Sequence, residues 1–510
     1  MTNRIFNRYY TSNVHQQHKF HIIIFGIILV FTTVFIGFIF PKYDWDIASW
    51  MALRPIPLSL NFYDPIIPHA IIPGLIVGII GNNIPLNLLD IHIIVSCVFN
   101  AFGITVLMLL TFLITKRFFA SILVGLALTM SRTYLIISLT GENDLVGTFY
   151  IAIVLFIMYD ICSKKEYTSQ EQNFLPKYFI FGILASFLTF FHLQMTVFGL
   201  AFSGLLPFLN EDGFNKLRMK EFSFIIPIVI TYFGYILGMV GGFSFLSFYM
   251  NYDPISLDLF ESFWQININT AGSFSQNPSW SYLASDRSPI EQFNIWINGL
   301  VRAFFFIEFT SPFSVLTSYE FLFILVSCAF VLIPLIDLLT RLKSSDSPLK
   351  RFLIMLVFAE LTYGLYMFFY EPQSLERWSP YIIVLGFHMA LIVNFDSLKN
   401  IDFYHLKHEQ SKYGLTFFFG LLFALILDFF GDNMSQDIVH LIFAFINVIS
   451  LILITYLALS RASYSHQSRI KSFDLQLLLL SFLIGFFIYF WLTKVFYSII
   501  TCDSSQAGWC

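Results

Sequence analysis

The residues of this chain with chemical potential fall in five short stretches. Asp44 and Asp46 lie in Pro41-Lys-Tyr-Asp-Trp-Asp-Ile-Ala-Ser-Trp50, and His69 follows Asp64-Pro-Ile-Ile-Pro. Glu142, Asn143 and Asp144 fill most of the turn 140–144. His192 sits in Phe190-Phe-His-Leu-Gln194, and Glu376 and Arg377 in Tyr370-Glu-Pro-Gln-Ser-Leu-Glu-Arg-Trp-Ser-Pro380. Arg377 suits a phosphate, because its planar fork donates two parallel hydrogen bonds. Each stretch also has an ordinary reading. Asp44 and Asp46 sit at water level beside interfacial Trp45 and Trp50. Asp144 could cap the helix that follows, although a cap needs one such residue and the turn has three. Glu376 and Arg377 could form a surface pair worth little, and His192 and His69 could be packing residues. Arg132 falls inside an apolar run, where charge is costly and faces a cavity or a partner.

What must position these residues is a membrane bundle. Of 510 residues, 57% are hydrophobic and 12% charged, with a mean hydropathy of +0.74. A soluble domain carries about 25% charge, and no single soluble core hides this much apolar surface. The bilayer is therefore the solvent for most of the chain. The formal net charge of −4 says nothing about nucleic acid, and with no basic tail or finger-type ligand cluster no nucleic-acid partner is expected. The five cysteines, Cys97, Cys162, Cys328, Cys502 and Cys510, have no metal-site spacing.

Apolar runs near the length a bilayer requires predict an all-α, polytopic transmembrane helical bundle. The expected spans are 20–40, 91–115, 118–139, 145–161, 178–194, 195–209, 223–243, 319–340, 352–370, 380–395, 414–430, 438–460 and 475–500, about 13 in all. The pair 178–209 could instead be one tilted helix. The run Phe20 to Phe40 ends at Pro41-Lys42 with no small-residue cleavage site, so it reads as a retained span rather than a signal peptide. Pro68 and Pro73 break the apolar segment His69 to Gly81, which reads as re-entrant or interfacial.

Charge orients the bundle. With the N-terminus cytoplasmic and the C-terminus outside, the inner segments hold 21 of the 28 Lys and Arg, the bias expected of cytoplasmic loops. Lys42, Arg54, Arg287, Arg302 and Arg377 fall outside, and Arg132 and Lys494 within spans. Asp44, Asp46, Glu142, Asp144, His192 and Arg377 then share the non-cytoplasmic face, where a lipid phosphate and an aqueous acceptor could meet. The organisation expected is a transmembrane module at 1–243 with acidic outer loops, a long outer-face region at 244–318, and C-terminal transmembrane helices at 319–510.

This pattern resembles the GT-C superfamily of membrane glycosyltransferases, nearest the branch of protein O-mannosyltransferases and aminoarabinose transferases. The resemblance is carried by Tyr43-Asp44-Trp45-Asp46, Asp64-Pro-Ile-Ile-Pro-His69, Glu142-Asn143-Asp144 and Glu376-Arg377-Trp378-Ser379-Pro380. It covers residues 1–210 and, locally, 371–395. The first-loop acids are spaced Asp-x-Asp rather than adjacent, and the Trp-Trp-Asp motif of oligosaccharyltransferases is absent. The resemblance implies an inverting sugar transfer from a polyprenyl- or dolichyl-phosphate donor to a protein, lipid or glycan acceptor. Asp44 or Asp46 would be the general base. Arg377, helped by His192, would steady the leaving phosphate, with His69 and Glu376 in the substrate loops. Glu142 and Asp144 would position the acceptor or hold a divalent metal, Mg or Mn; no other cofactor is implied. The segment 244–318, with Trp264, Trp280 and Trp296, would cover the site or bind the acceptor.

The alternatives are a transporter or lipid-linked-sugar flippase, which calls for mid-membrane ionisable residues and an internal repeat, and a noncatalytic scaffold. No repeat is evident, and Arg132 is the deep charge that the expected spans bring forward. Cys502 and Cys510 could pair in an oxidising compartment, and Asn433-Met-Ser435 is a glycosylation sequon placed outside. Both fit an endoplasmic reticulum membrane or a microbial cell membrane.

Overall fold

In this computed structural model the described residues are 2–39, 83–86, 88–115, 118–129, 146–163, 175–191, 194–209, 225–249, 286–305, 348–370 and 414–426, with single positions at 72, 76, 79, 80, 384, 388, 412, 478, 482, 485 and 489. Among these residues every regular element is a helix. They are α1 (Thr2–Ile39), α2 (Leu88–Thr115), α3 (Phe118–Thr129), α4 (Val146–Ser163), α5 (Leu175–Ser186, followed by the turn Leu188–Phe191), α6 (Met195–Leu209), α7 (Ile225–Tyr249), α8 (Pro289–Phe305), α9 (Pro348–Tyr370) and α10 (Gly414–Ile426).

Among the described residues, four segments are long and apolar enough to cross a membrane: Gln16–Phe35, Asp90–Thr115, Ile225–Phe245 and Arg351–Phe369. A helix satisfies its own backbone, which hydrocarbon cannot do for it. The hydroxyls within these helices follow the same rule. Thr33, Thr105, Thr111, Thr231 and Thr362 each donate to the carbonyl four residues back, at 2.7–2.8 Å. On the outside of the bundle run stripes of large apolar side chains. Examples are Phe20, Ile24, Ile27, Phe31 and Phe35 on α1, and Phe358, Leu361, Leu365 and Phe369 on α9. Stripes of this length are a liability in water and the ordinary surface of a helix in lipid. The protein is accordingly an integral membrane protein. The expected spans 319–340 and 438–460 lie outside the described residues, and 380–395 and 475–500 are described only at single positions.

The chain divides into two compact units, Met1–Ala303 with Asp346–His388, and Phe304–Ser345 with Met389–Cys510. Within the first, contacting pairs reveal helix directions. On α1 and α2, Gly26 meets Thr105, Thr33 meets Cys97, and His18 meets Phe112. One number rises as the other falls, so the two helices are antiparallel, and Ile39 and Leu88 share an end. The segment 175–209 is likewise two antiparallel helices rather than one tilted helix. Thr196 donates to Thr189 at 3.1 Å, and a Cβ on Gly199 would lie 2.7 Å from the Ala185 carbonyl oxygen.

Helix α7 returns parallel to α5. Its Gly234, Gly238 and Gly242 face Phe179, Ile183 and Phe190, while Gly182 of α5 faces Thr231. The spacing Gly-x-x-x-Gly-x-x-x-Gly lets two backbones approach where lipid removes the hydrophobic drive for helices to associate. The hydroxyl contact between Thr189 and Tyr235 at 3.1 Å closes this three-helix group.

Helix α8 starts at a capping box. Ser288 Oγ accepts from the Glu291 amide at 3.3 Å, and a Glu291 carboxylate oxygen accepts from the Ser288 amide at 2.8 Å. Pro289 follows at the first helical position, where no amide proton is needed. The helix then runs antiparallel to α9, with Gln292 donating to the Phe368 carbonyl and Trp296 to that of Gly364 at 2.9 Å. In the second unit, α10 crosses the chain at Phe482 and Gly485 antiparallel, with Gly420 against Phe482 and Gly485 against Phe417.

Two outcomes follow from this packing. Gly182→Leu drives a side chain into the Thr231 carbonyl and costs about 1–3 kcal/mol, whereas Gly241→Leu, with nothing within 4 Å, is neutral; thermal unfolding in detergent compares them. Hydrogen bonds from Ser288 hold the Glu291 carboxyl below its ordinary value of 4.5. The cap is therefore fully present above that value and is lost as pH falls through the lowered one. Amide exchange at the start of α8 is expected to quicken in that acidic window, and to lose this dependence in Glu291→Gln.

Candidate functional site

The eight residues singled out from the sequence, Asp44, Asp46, His69, Glu142, Asp144, His192, Glu376 and Arg377, lie outside the described residues, as do Arg132, Cys502 and Cys510. The helices that flank three of the stretches are described, and their ends gather. The turn 140–144 leads into α4, whose Gly147 meets Met195 and Phe191. The Tyr150 ring stacks on Phe191 at 4.7 Å between centroids, and its hydroxyl donates to the Leu184 carbonyl at 2.6 Å. The hairpin tip that carries His192 joins α5 and its turn to α6. From that tip Gln194 reaches α9, where its Oε1 accepts from the Tyr363 hydroxyl at 3.0 Å. Phe198 stacks on Tyr363 at 4.7 Å and 12°. At the other end of the same helices Tyr159 packs edge-on against Phe352. The start of α4, the hairpin tip and the Tyr370 end of α9 thus lie at one end of the first unit.

Below that end, near the middle of the Arg351–Phe369 segment, Glu360 and His388 form a buried hydrogen-bonded pair. His388 Nδ1 lies 2.9 and 2.8 Å from the two carboxylate oxygens of Glu360. A carboxylate only accepts, so Nδ1 carries the proton and donates. His388 is 2% exposed and Glu360 6%. Glu360 is on the buried stripe of α9 with Leu353, Leu356 and Tyr363, away from the lipid-facing stripe. The other ring nitrogen of His388, Nε2, is buried and has no hydrogen-bond partner. A carboxylate that fixes the tautomer and leaves Nε2 open is the arrangement by which a histidine accepts a hydrogen bond or a proton.

This pair was missed by reading the sequence for polar clusters at the membrane face. Its signal was present: Phe358-Ala-Glu360-Leu and Gly386-Phe-His388-Met each set a single ionisable residue inside an apolar run. Arg132 is therefore not the sole deep ionisable group of the expected spans.

No family profile matches the chain, and no curated protein does. Among solved structures it is similar to ArnT from Cupriavidus metallidurans bound to undecaprenyl phosphate, with a TM-score of 0.46 and 10% identity over 92% of this chain and 76% of that one. The apo state of the same protein gives a TM-score of 0.44, again at 10% identity over 92% and 76%.

Removing one partner of the buried pair and keeping its geometry have different consequences. Glu360→Leu strands the His388 ring and is expected to cost about 3–5 kcal/mol. Glu360→Gln, which still accepts from Nδ1, costs far less. Tyr363→Phe, which loses the Gln194 bond, costs about 0.5–1.5 kcal/mol. Unfolding of the purified variants in detergent measures all three.

Proposed function

We propose that this protein is a glycosyltransferase of the GT-C type, with about thirteen spans, a cytoplasmic N-terminus and an outer C-terminus. It moves a sugar from a polyprenyl-phosphate donor to an acceptor on the non-cytoplasmic face. The observation that carries the reading is the placement of its unusual polar residues: three acidic or basic stretches far apart in sequence fall on one side of the membrane by charge count. The gathered ends of α4, the hairpin tip and α9 support it, because these ends flank two of those stretches and His192.

In this reading one carboxylate, Asp44 or Asp46, takes the proton from the acceptor hydroxyl. The acceptor oxygen bonds to the anomeric carbon from the face opposite the phosphate. The bond from that carbon to the phosphate oxygen breaks, its electron pair leaves on polyprenyl phosphate, and configuration inverts. Negative charge grows on the leaving phosphate, which Arg377 steadies, with His192 as helper. Glu142 and Asp144 position the acceptor, and they are also the pair that could hold a divalent cation. His69, Glu376 and the 244–318 segment form the substrate loops over the site. The branch nearest this reading is that of protein O-mannosyltransferases and aminoarabinose transferases, with a hexosyl or pentosyl group as the sugar.

A second reading is favoured by one observation. The Glu360–His388 pair is a mid-span ionisable site of the kind that marks ion and substrate pathways in transporters. The two readings separate in reconstituted membranes. With a polyprenyl-phosphate sugar as donor, Asp44→Asn or Asp46→Asn is expected to lower transfer by about 10²-fold or more, the contribution of a general base. Full activity in both variants refutes the base assignment, and sugar flux without a covalent product establishes the transporter reading instead.

A further inference from the structure

We propose that His388 Nε2 is a binding group for a substrate hydroxyl, a contact within the span and separate from the loop residues assigned to transfer. The inference rests on the transferase reading for the identity of the ligand, though not for the existence of the site.

Geometry sets what the nitrogen can do. Both oxygens of Glu360 lie within 2.9 Å of Nδ1, so that edge of the ring is fully used. Nε2 then presents a lone pair, in a side chain that is 2% exposed, and this atom has no hydrogen-bond partner among the described residues. Most buried polar atoms of native proteins are paired, and a group from outside the chain is one way to satisfy an unpaired one. Three ligand classes compete. An anion is disfavoured by the Glu360 carboxylate on the same ring. A metal needs three or four protein ligands, and the described residues contain no group of three His, Cys, Asp or Glu that could supply them. A neutral hydroxyl donor fits the lone pair and adds no second negative charge beside Glu360.

Polar contacts link the same helix to the hairpin tip. One helical turn from Glu360, Tyr363 is bonded to Gln194 at the hairpin tip. From that tip the hydroxyls of Thr196, Thr189 and Tyr235 continue in steps of 3.1 Å. Glu360 is a positioning residue here, because it acts by holding the ring in one tautomer and direction.

The hydroxyl could belong to the sugar of the donor or to the acceptor, and the test distinguishes them. Full-length protein labelled with ¹⁵N-histidine in liposomes is titrated with polyprenyl-phosphate mannose, with polyprenyl phosphate alone, and with a hydroxylated acceptor peptide. The His388 signals are assigned by their loss in His388→Asn, which keeps a donor for Glu360 and deletes Nε2. The expected result is a shift of Nε2 to the hydrogen-bonded range with the mannosyl donor and not with the bare phosphate, or with the acceptor alone. The matching apparent Kd or KM should rise about ten-fold in His388→Asn, and less in His388→Gln, whose amide reaches the place of Nε2. The proposal is overturned by any of three results: an Nε2 already hydrogen-bonded in the empty protein, as a bound water would make it, no shift with any probe, or equal loss in the two variants. A shift without sugar transfer refutes the transferase and leaves this site standing. Transfer indifferent to His388→Asn does the reverse.

Discussion

In hydrocarbon there is no water to satisfy a polar group, so each one must find its partner within the protein. The rest of this structure depends on that constraint. It makes every regular described element a helix and turns threonine hydroxyls back onto their own helices. It also makes the close approach of α5 and α7 depend on glycine rather than on apolar bulk, because lipid is as apolar as leucine. The same constraint gives weight to the pairing of Glu360 with His388: two ionisable side chains inside apolar runs are tolerated when they satisfy one another. The remaining nitrogen of His388 has no hydrogen-bond partner among the described residues.

The helix directions carry the constraint from packing to function. With α5 and α7 parallel and α6 antiparallel to α5, the hairpin tip is brought to the start of α4 and to the Tyr370 end of α9. The capped helix α8, docked along the same part of α9 by Trp296 and Gln292, adds a fourth wall there. A membrane bundle of this kind separates rigid walls from variable loops, and binding residues are commonly carried on loops held by such a scaffold.

Much of this was legible in the sequence, for physical reasons. Apolar run length sets span position directly, so α2, α6 and α9 lie close to the expected 91–115, 195–209 and 352–370. The division of 178–209 into two helices was open in the sequence, because apolarity says nothing of where a chain reverses; the contact of Thr196 with Thr189 decides it. Helix α1 starts at Thr2, far before the expected 20–40, since its polar head has no hydropathy signal. The Gly234, Gly238, Gly242 seam was visible as a spacing and was not used. Glu360 and His388 escaped because a single acid or histidine inside an apolar run barely lowers its hydropathy. They become a site only when tertiary structure brings residues 28 apart in sequence into contact.

The measurement that tests the account most directly is a sided assay of the purified full chain in proteoliposomes, supplied with a panel of radiolabelled polyprenyl-phosphate sugars. The account predicts that one sugar appears covalently on an acceptor at the non-cytoplasmic face, with free polyprenyl phosphate released in equal amount. Passage of a lipid-linked sugar across the membrane with no covalent product, for every member of the panel, would contradict it.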